Sequence, residues 1–227
     1  MTEASLNQSP KKQLFTQFAQ VAKALSHGYR LEMLEFLAQG ERGVEGLAKL
    51  TGISIANASQ HLQKMERAGL VSSRREGHYN MYRISDDAVL SLLSGLRTVA
   101  ENNIAEVDKI VSQYFLSKDS FEPVSSDQLL ESSRQGLVTV LDVRPKDEYE
   151  NGHVQNAVNI PLNELADRLD ELPQGQEVVA YCRGPYCVLS FDAVELLRRQ
   201  GYEARRLDDG LPEWKAAGLP VASIPPN

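Results

Sequence analysis

The sequence predicts two domains, a mainly α N-terminal domain with a basic hairpin and a smaller α/β C-terminal domain built on a parallel sheet. Three observations predict this. Apolar residues recur at helical spacing up to about residue 116, and short apolar runs alternate with helical segments after about 124. Charge divides in the same place, with a formal +2 over residues 1–118 and −9 over 119–227. The chain is 227 residues long, 42% hydrophobic and 24% charged, which suits two small globular domains with cores of their own. The expected division is 1–118 and 119–227.

In the first domain Leu14, Phe15, Phe18, Val21, Ala22 and Leu25 mark a helix over 14–25. Ser26 is a candidate cap for a second helix carrying Leu31, Met33, Leu34, Phe36 and Leu37. A short helix over 44–50 leads into Thr51-Gly52-Ile53, which reads as a turn. Ser54 is placed to cap the next helix, which runs to about Ala68 and ends at Gly69. VSSRREGHYNMYRIS then reads as a hairpin with Glu76-Gly77-His78 at its tip. Residues 86–116 read as one long helix, with an apolar stripe of Val89, Leu92, Leu93, Leu96, Val99, Ile104, Val107, Ile110, Val111, Tyr114 and Phe115. That stripe exceeds what a small domain needs to cover itself, so a dimer seam is expected, formed by the 14–25 and 86–116 helices.

Short helix, tight turn, capped helix and basic hairpin is the layout of a winged helix-turn-helix. Such a fold reads double-stranded DNA by presenting polar side chains from the first turns of its second helix. Ser54, Asn57, Ser59, Gln60, His61 and Gln63 have the right chemistry, and Ile55, Ala58, Leu62 and Met65 are expected to face the core. Lys64 with Arg74, Arg75, His78 and Tyr79 of the wing would meet the phosphate backbone or minor groove. A polar surface helix beside a plain hairpin is the alternative.

The segment from FAQVAKALSHGYRL through QHLQKMERAGLVSSRREGHYNMYRIS resembles the ArsR/SmtB-type winged-helix repressors, over about residues 14–116. The resemblance implies a homodimer and repression relieved by an inducer. Metal-sensing members use cysteines near the helix before the recognition helix, or histidine and carboxylates on the last helix. Here the first segment is ERGVEGLAKL and the last helix has no histidine, so no metal ligands and no cofactor are expected.

SKDSFEPV over 117–124 reads as a linker, followed by capping-box spacing at Ser125–Gln128. Strands are expected at 137–143, 158–160, 177–181 and near EARRL, and helices at 163–171, 188–200 and 211–217. The two cysteines, Cys182 and Cys187, lie in YCRGPYC. Cys182 follows a strand, a helix opens near Val188, and Arg183 adds a cation. Backbone N–H groups and a helix N-terminus favour a thiolate there. Two small buried hydrophobes are the structural alternative.

VTVLDVRPKDEYENGHVQNAVNIPL, YCRGPYC and GYEARRLDDGLPEWKAAGLPV together resemble a single rhodanese domain over about 123–222. The resemblance implies that Cys182 carries a persulfide in a loop completed by Arg183, Gly184, Pro185, Tyr186 and Cys187. It implies structural roles for Asp142, Arg144 and His153, and Trp214 reads as a core anchor. The usual loop is close to Cys-Arg-x-Gly-x-Arg, and this chain departs from it at Gly184, Pro185 and Cys187. The position six after Cys182 is Val188, which excludes the Cys-x5-Arg phosphatase loop. Cys187 is either a resolving thiol or a small residue filling the helix start.

The reading is therefore a DNA-binding regulator, a repressor by family, whose rhodanese domain senses or handles sulfur from thiosulfate, polysulfide or persulfide through Cys182. A sulfurtransferase tethered to a DNA-binding domain, and an arsenite-responsive repressor using Cys182 and Cys187, are the alternatives. The N-terminal segment has no apolar signal core and no window approaches a membrane span, so a cytoplasmic protein without membrane contact is expected.

Overall fold

The computed structural model describes residues 9–115 and 122–224. Contacts divide the chain into two units, Met1–Val89 and Leu90–Asn227. The expected boundary at 118/119 falls within the second unit.

The first unit opens with α1 (Pro10–Leu25), capped by the Ser9 hydroxyl. α2 (Gly28–Leu37) follows, with His27 rather than Ser26 at its N-cap, because Ser26 turns its hydroxyl back to the Lys23 carbonyl. A two-residue strand β1 (Arg42–Gly43), not anticipated from sequence, precedes α3 (Val44–Thr51). α3 ends at Gly52 with φ +67°, a left-handed conformation that turns the chain tightly at no Cβ cost. α4 (Ile55–Arg67) is capped by Ser54, whose hydroxyl accepts from the Asn57 N–H at 3.2 Å. β2 (Val71–Glu76) and β3 (Tyr79–Ile84) pair antiparallel around Gly77-His78, and β1 adds to β3. Met33, Leu34, Leu47, Ala58, Leu62 and Met65 are fully buried and form the core. Ile55 does not join them. It is 54% exposed, since the first residue of α4 points off the end of the helix rather than along its buried face.

The long helix expected over 86–116 is broken. α5 (Asp87–Asn103) begins at the end of the first unit and continues into the second. The chain takes an extended conformation at Ile104, resumes as α6 (Ala105–Ile110), and passes into a π turn over Val111–Phe115. Asn103 donates its side-chain amide to the Val99 carbonyl at 2.8 Å, the local bonding that lets asparagine end a helix. Leu92, Leu96, Val99, Ile104, Ile110 and Tyr114 of the apolar stripe are exposed in the single chain.

Residues 117–121 of the expected linker lie outside the described residues. Val124 is not linker: it is buried and bridges Leu207 in parallel, so the second unit's sheet reaches back to it. α7 (Ser126–Arg134) carries the anticipated capping box between Ser125 and Gln128. β4 (Val138–Asp142), α8 (Lys146–Asn151), β5 (His153–Val154) and β6 (Val158–Asn159) follow. The helix expected over 163–171 is only α9 (Leu162–Leu165) and a 3-10 turn over Leu169–Glu171. β7 (Glu177–Tyr181), α10 (Val188–Arg199), β8 (Ala204–Arg206), α11 (Leu211–Ala216) and β9 (Val221–Ala222) complete the unit. The parallel sheet has the order β6-β4-β7-β8, and β5 and β9 form a separate antiparallel ribbon. One apolar cluster, with Leu141, Ile160, Val178 and Leu197, packs on α10. A second, with Val140, Val179, Leu211 and Trp214, fills the other face. Burial on both faces explains the near-continuous apolar strands.

Candidate functional site

Parallel strands deliver their C-terminal ends to one edge, where α/β sheets hold their ligands. β7 is central in the sheet and ends at Tyr181, so Cys182 leaves that edge directly. The chain turns through Arg183–Tyr186, the Cys187 N–H donates to the Gly184 carbonyl at 3.1 Å, and α10 starts at Val188 with Cys187 as its N-cap. The two sulfurs are joined in a disulfide across Cα atoms 6.1 Å apart, inside the usual range for such a bond. Cys182 is 1% exposed and Cys187 8%. In this state neither sulfur titrates.

Neighbours pin the loop. The Leu211 N–H donates to the Cys182 carbonyl at 3.3 Å, and the Ser190 hydroxyl donates to the Cys187 carbonyl at 3.1 Å. Gly210 lies flat against the loop backbone: a Cβ there would sit 2.4 Å from the Gly184 nitrogen. Arg183, read from sequence as a loop cation, is instead engaged by Glu148 of α8. The guanidinium donates from Nε to Oε2 and from Nη2 to Oε1, both at 2.8 Å, and the Glu148 side chain is 1% exposed. Tyr186 donates its hydroxyl to Glu101 of α5 at 2.5 Å and packs at a tilt against Phe115, ring centroids 5.2 Å apart. Burial and the Glu101 carboxylate push the Tyr186 phenol well above the ordinary tyrosine range. Arg97 of α5 pairs with Glu213 of α11. Burial and the Glu213 charge raise Asp209 beside them.

Asp142 and Arg144 form a fully buried pair at the end of β4, with Arg144 Nη2 2.5 Å from Asp142 Oδ2. Tyr181 donates its hydroxyl to Asp142, accepts the Val154 N–H at 3.0 Å, and is held protonated by burial and the carboxylate. Arg144 reaches on to the Gly152 carbonyl at 2.8 Å. His153 stacks on Tyr149, and Trp214 donates its indole N–H to the Pro220 carbonyl at 2.9 Å. Of the side chains read from sequence as structural, Asp142, Arg144, His153 and Trp214, none belongs to the cysteine loop.

In the first unit Ser54, Asn57, Gln60, Gln63 and Lys64 are exposed along α4, and Ser59 is half-buried. Arg74, Arg75, His78 and Tyr79 are exposed on the hairpin. Arg74 pairs with Glu41 at 2.7 Å, and Arg75 donates to the Gly77 carbonyl at 3.1 Å. His61 is half-buried, its ring 4.5 Å from His27 and its Nδ1 3.4 Å from Arg30 Nη1. Burial lowers its pKa, with His27, Arg30 and Lys64 acting in the same direction. Among the described residues no group of three or more His, Cys, Asp or Glu side chains is arranged to hold a metal ion. No described helix is long and apolar enough to cross a membrane.

Sequence reasoning missed Glu148, Glu101, Tyr181 and Gly210. Glu148 lies 35 positions from Arg183, so no local spacing signals the pair. Gly210 follows two aspartates before a Pro-containing helix start and reads as ordinary helix entry.

A winged helix-turn-helix followed by a cysteine loop on a parallel sheet defines a regulator joined to a rhodanese fold. Residues 28–73 match the bacterial regulatory protein arsR family, and residues 125–217 match the rhodanese-like domain family. The chain is 46% identical over 211 residues to the HTH-type transcriptional regulator Rv0324 of Mycobacterium tuberculosis, covering 93% of this chain and 92% of that one. It therefore belongs to the ArsR-family transcriptional regulators that carry a C-terminal rhodanese domain. A sulfurtransferase of Allochromatium vinosum is 31% identical over 87 residues, 38% of this chain and 79% of its own. Among solved structures, the homodimeric winged helix-turn-helix DNA-binding domain Mb0332 (fragment 1–100) of Mycobacterium bovis is 44% identical. It covers 43% of this chain and 91% of its own, with a TM-score of 0.40.

Proposed function

We propose that this chain is a homodimeric, cytoplasmic DNA-binding repressor whose rhodanese domain converts reactive sulfur into a change in operator affinity through Cys182 and Cys187. The observation that carries this reading is the cysteine pair itself, closed across 6.1 Å between Cα atoms at the C-terminal edge of β7. In the reduced protein the Cys182 thiolate attacks the outer sulfur of a persulfide R–S–SH. Cys182 becomes Cys182–S–SH and RS⁻ leaves. The Cys187 thiolate then attacks the Sγ of Cys182, the disulfide forms and HS⁻ leaves, so the two electrons given up by the thiols depart on the sulfane sulfur.

The route from loop to DNA runs through Tyr186, which lies between the two cysteines and bonds Glu101 on α5. α5 is the helix that begins in the DNA-binding unit, and its exposed Leu92, Leu96 and Val99, with Leu14, Phe15 and Phe18 of α1, suit a seam between two copies. Ser54, Asn57, Ser59, Gln60, Gln63 and Lys64 of α4, with Arg74, Arg75, His78 and Tyr79 of the wing, are assigned to DNA. His61 has a packing role against His27 and Arg30 as well. Coupling of about 1–3 kcal/mol is enough to move operator occupancy.

The test is fluorescence anisotropy with the DNA upstream of the chain's own gene, at fixed salt because phosphate contacts are steeply salt-dependent. Reduced and persulfide-treated protein should differ by about tenfold in Kd, equivalent to about 1.4 kcal/mol. Cys182→Ser should abolish the difference. Equal binding by both forms of the unsubstituted protein refutes the reading. The similarity to a sulfurtransferase favours a second reading, a tethered enzyme. Steady multiple turnover with thiosulfate or polysulfide supports it, and a single stoichiometric loading of Cys182 excludes it.

A further inference from the structure

The loop's charges say which sulfur donors it admits. We propose that the Cys182 loop is charge-selective, taking uncharged or cationic sulfur electrophiles and rejecting anionic ones such as thiosulfate. This rests on the reading of Cys182 as the reacting sulfur.

An anionic donor is drawn in by side-chain charge, and the segment from Cys182 to Cys187 contains one charged residue, Arg183. Its guanidinium fork is engaged by both Glu148 oxygens at 2.8 Å, and that carboxylate is 1% exposed. Releasing Arg183 to a ligand would leave a buried carboxylate without this partner, so the fork stays closed to donors. Arg144, next inward, is matched by Asp142 in the same way. These four groups sum to zero.

What faces the loop beyond them is acidic. The Tyr186 hydroxyl is bonded to Glu101 and also feels Asp208 and Arg97. Asp209 lies in the field of Glu213 and Asp208, and Arg97 is paired with Glu213. Four carboxyl groups stand against two guanidiniums, Arg97 on Glu213 and the buried Arg206, 3.8 Å from Asp208. A donor carrying negative charge meets repulsion on approach and finds the loop's side-chain cation already engaged by Glu148, whereas a neutral trisulfide or an amine-bearing disulfide meets neither obstacle.

The chemistry that reads this out is disulfide exchange. The Cys182 thiolate attacks R–S–S–R, giving Cys182–S–S–R and RS⁻. In the unsubstituted protein Cys187 then displaces the second RS⁻, and the reagent takes the two electrons that the thiols lose.

The experiment uses reduced full-length Cys187→Ser protein, whose remaining cysteine is Cys182. Its stopped-flow rates are taken with 5,5′-dithiobis(2-nitrobenzoate), a dianion; 2,2′-dithiodipyridine, neutral; and cystamine, a dication. Each rate is divided by that of a small neutral thiol with the same reagent. The dianion should come out at least tenfold below the neutral reagent at low salt, with the gap narrowing as salt rises, and the dication should equal or exceed the neutral one. Glu148→Gln should raise the dianion rate severalfold by freeing Arg183. Glu101→Gln with Asp208→Asn reads the same charge from the surface if the buried variant does not fold. A normalised dianion rate equal to or above the neutral one overturns the selectivity while leaving Cys182 as the reacting sulfur. No reaction with any reagent overturns that assignment, and the selectivity with it.

Discussion

Replacing Gly210 by alanine tests whether the cysteine loop is held by close backbone packing. Gly210 has φ −117° and ψ −175°, a conformation alanine adopts freely, so the substitution brings no backbone strain. The obstacle is steric. The new Cβ would lie 2.4 Å from the Gly184 nitrogen and 2.5 Å from both the carbonyl carbon and oxygen of Arg183, where ordinary contact begins at 3.4 Å. These are backbone atoms, so no side chain can swing away, and either the loop or the start of α11 must move by about 1 Å. Overpacking of this kind costs about 1–3 kcal/mol. The chain's one tryptophan, Trp214, is buried in the second unit, so its fluorescence reports unfolding of that unit alone. With a urea slope of about 1–3 kcal/mol per molar, a loss of about 2 kcal/mol moves the midpoint down by about 1 M. A shift of about 1 Å in a reacting group also lowers its rate by up to about a hundredfold. Gly210→Ala should therefore lower the urea midpoint and slow the reaction of reduced Cys182 with 2,2′-dithiodipyridine together. A midpoint and rate both equal to those of the unsubstituted protein would refute the packing argument.

Asp142→Asn leaves Arg144 buried beside a neutral group and weakens the acceptor for Tyr181, so it should cost about 3–5 kcal/mol, measured by the same urea titration. Ser54→Ala removes the hydroxyl that accepts from the Asn57 N–H and should destabilise the first unit by about 1 kcal/mol in a circular dichroism melt. The folded-state pKa of His61 is lowered by burial and by His27, Arg30 and Lys64, so the unfolded chain binds the proton more readily. The stabilisation from neutral His61 is thus fully present above about pH 6.5 and is lost as the pH falls below it toward the folded pKa. Melting curves between pH 5 and 8 should show this loss, and His61→Gln should flatten it.

Much of the architecture was legible because it depends on local signals. Ser54 and Ser125 cap helices by bonding to N–H groups three residues away, and Gly52 meets the left-handed turn before α4. The strands ending at Asp142 and Tyr181 appear as apolar runs because both their faces are covered. Local reading failed where distant partners or small backbone adjustments decide. The 86–116 stripe continues through Ile104, but the backbone does not. Val124 looks like linker because its strand partner, Leu207, is 83 positions away. β1 is two residues long and exists only because β3 offers it an edge.

The candidate site residues divide in the same way. The order of winged helix, hairpin, strand and cysteine loop is written in periodicity, turn residues and motif spacing, which are properties of neighbouring residues. Those alone were enough for the two-domain plan, for the polar face of α4 and for Cys182 at the end of a strand. Only the tertiary structure decided the electrostatic character of the loop and the pairing of its cysteines. Arg183 reads as a free cation until the fold brings Glu148 against it, and Tyr186 reads as a spacer until Glu101 takes its hydroxyl. Charge acts through space, so the partners that neutralise a group need not be near it in the chain.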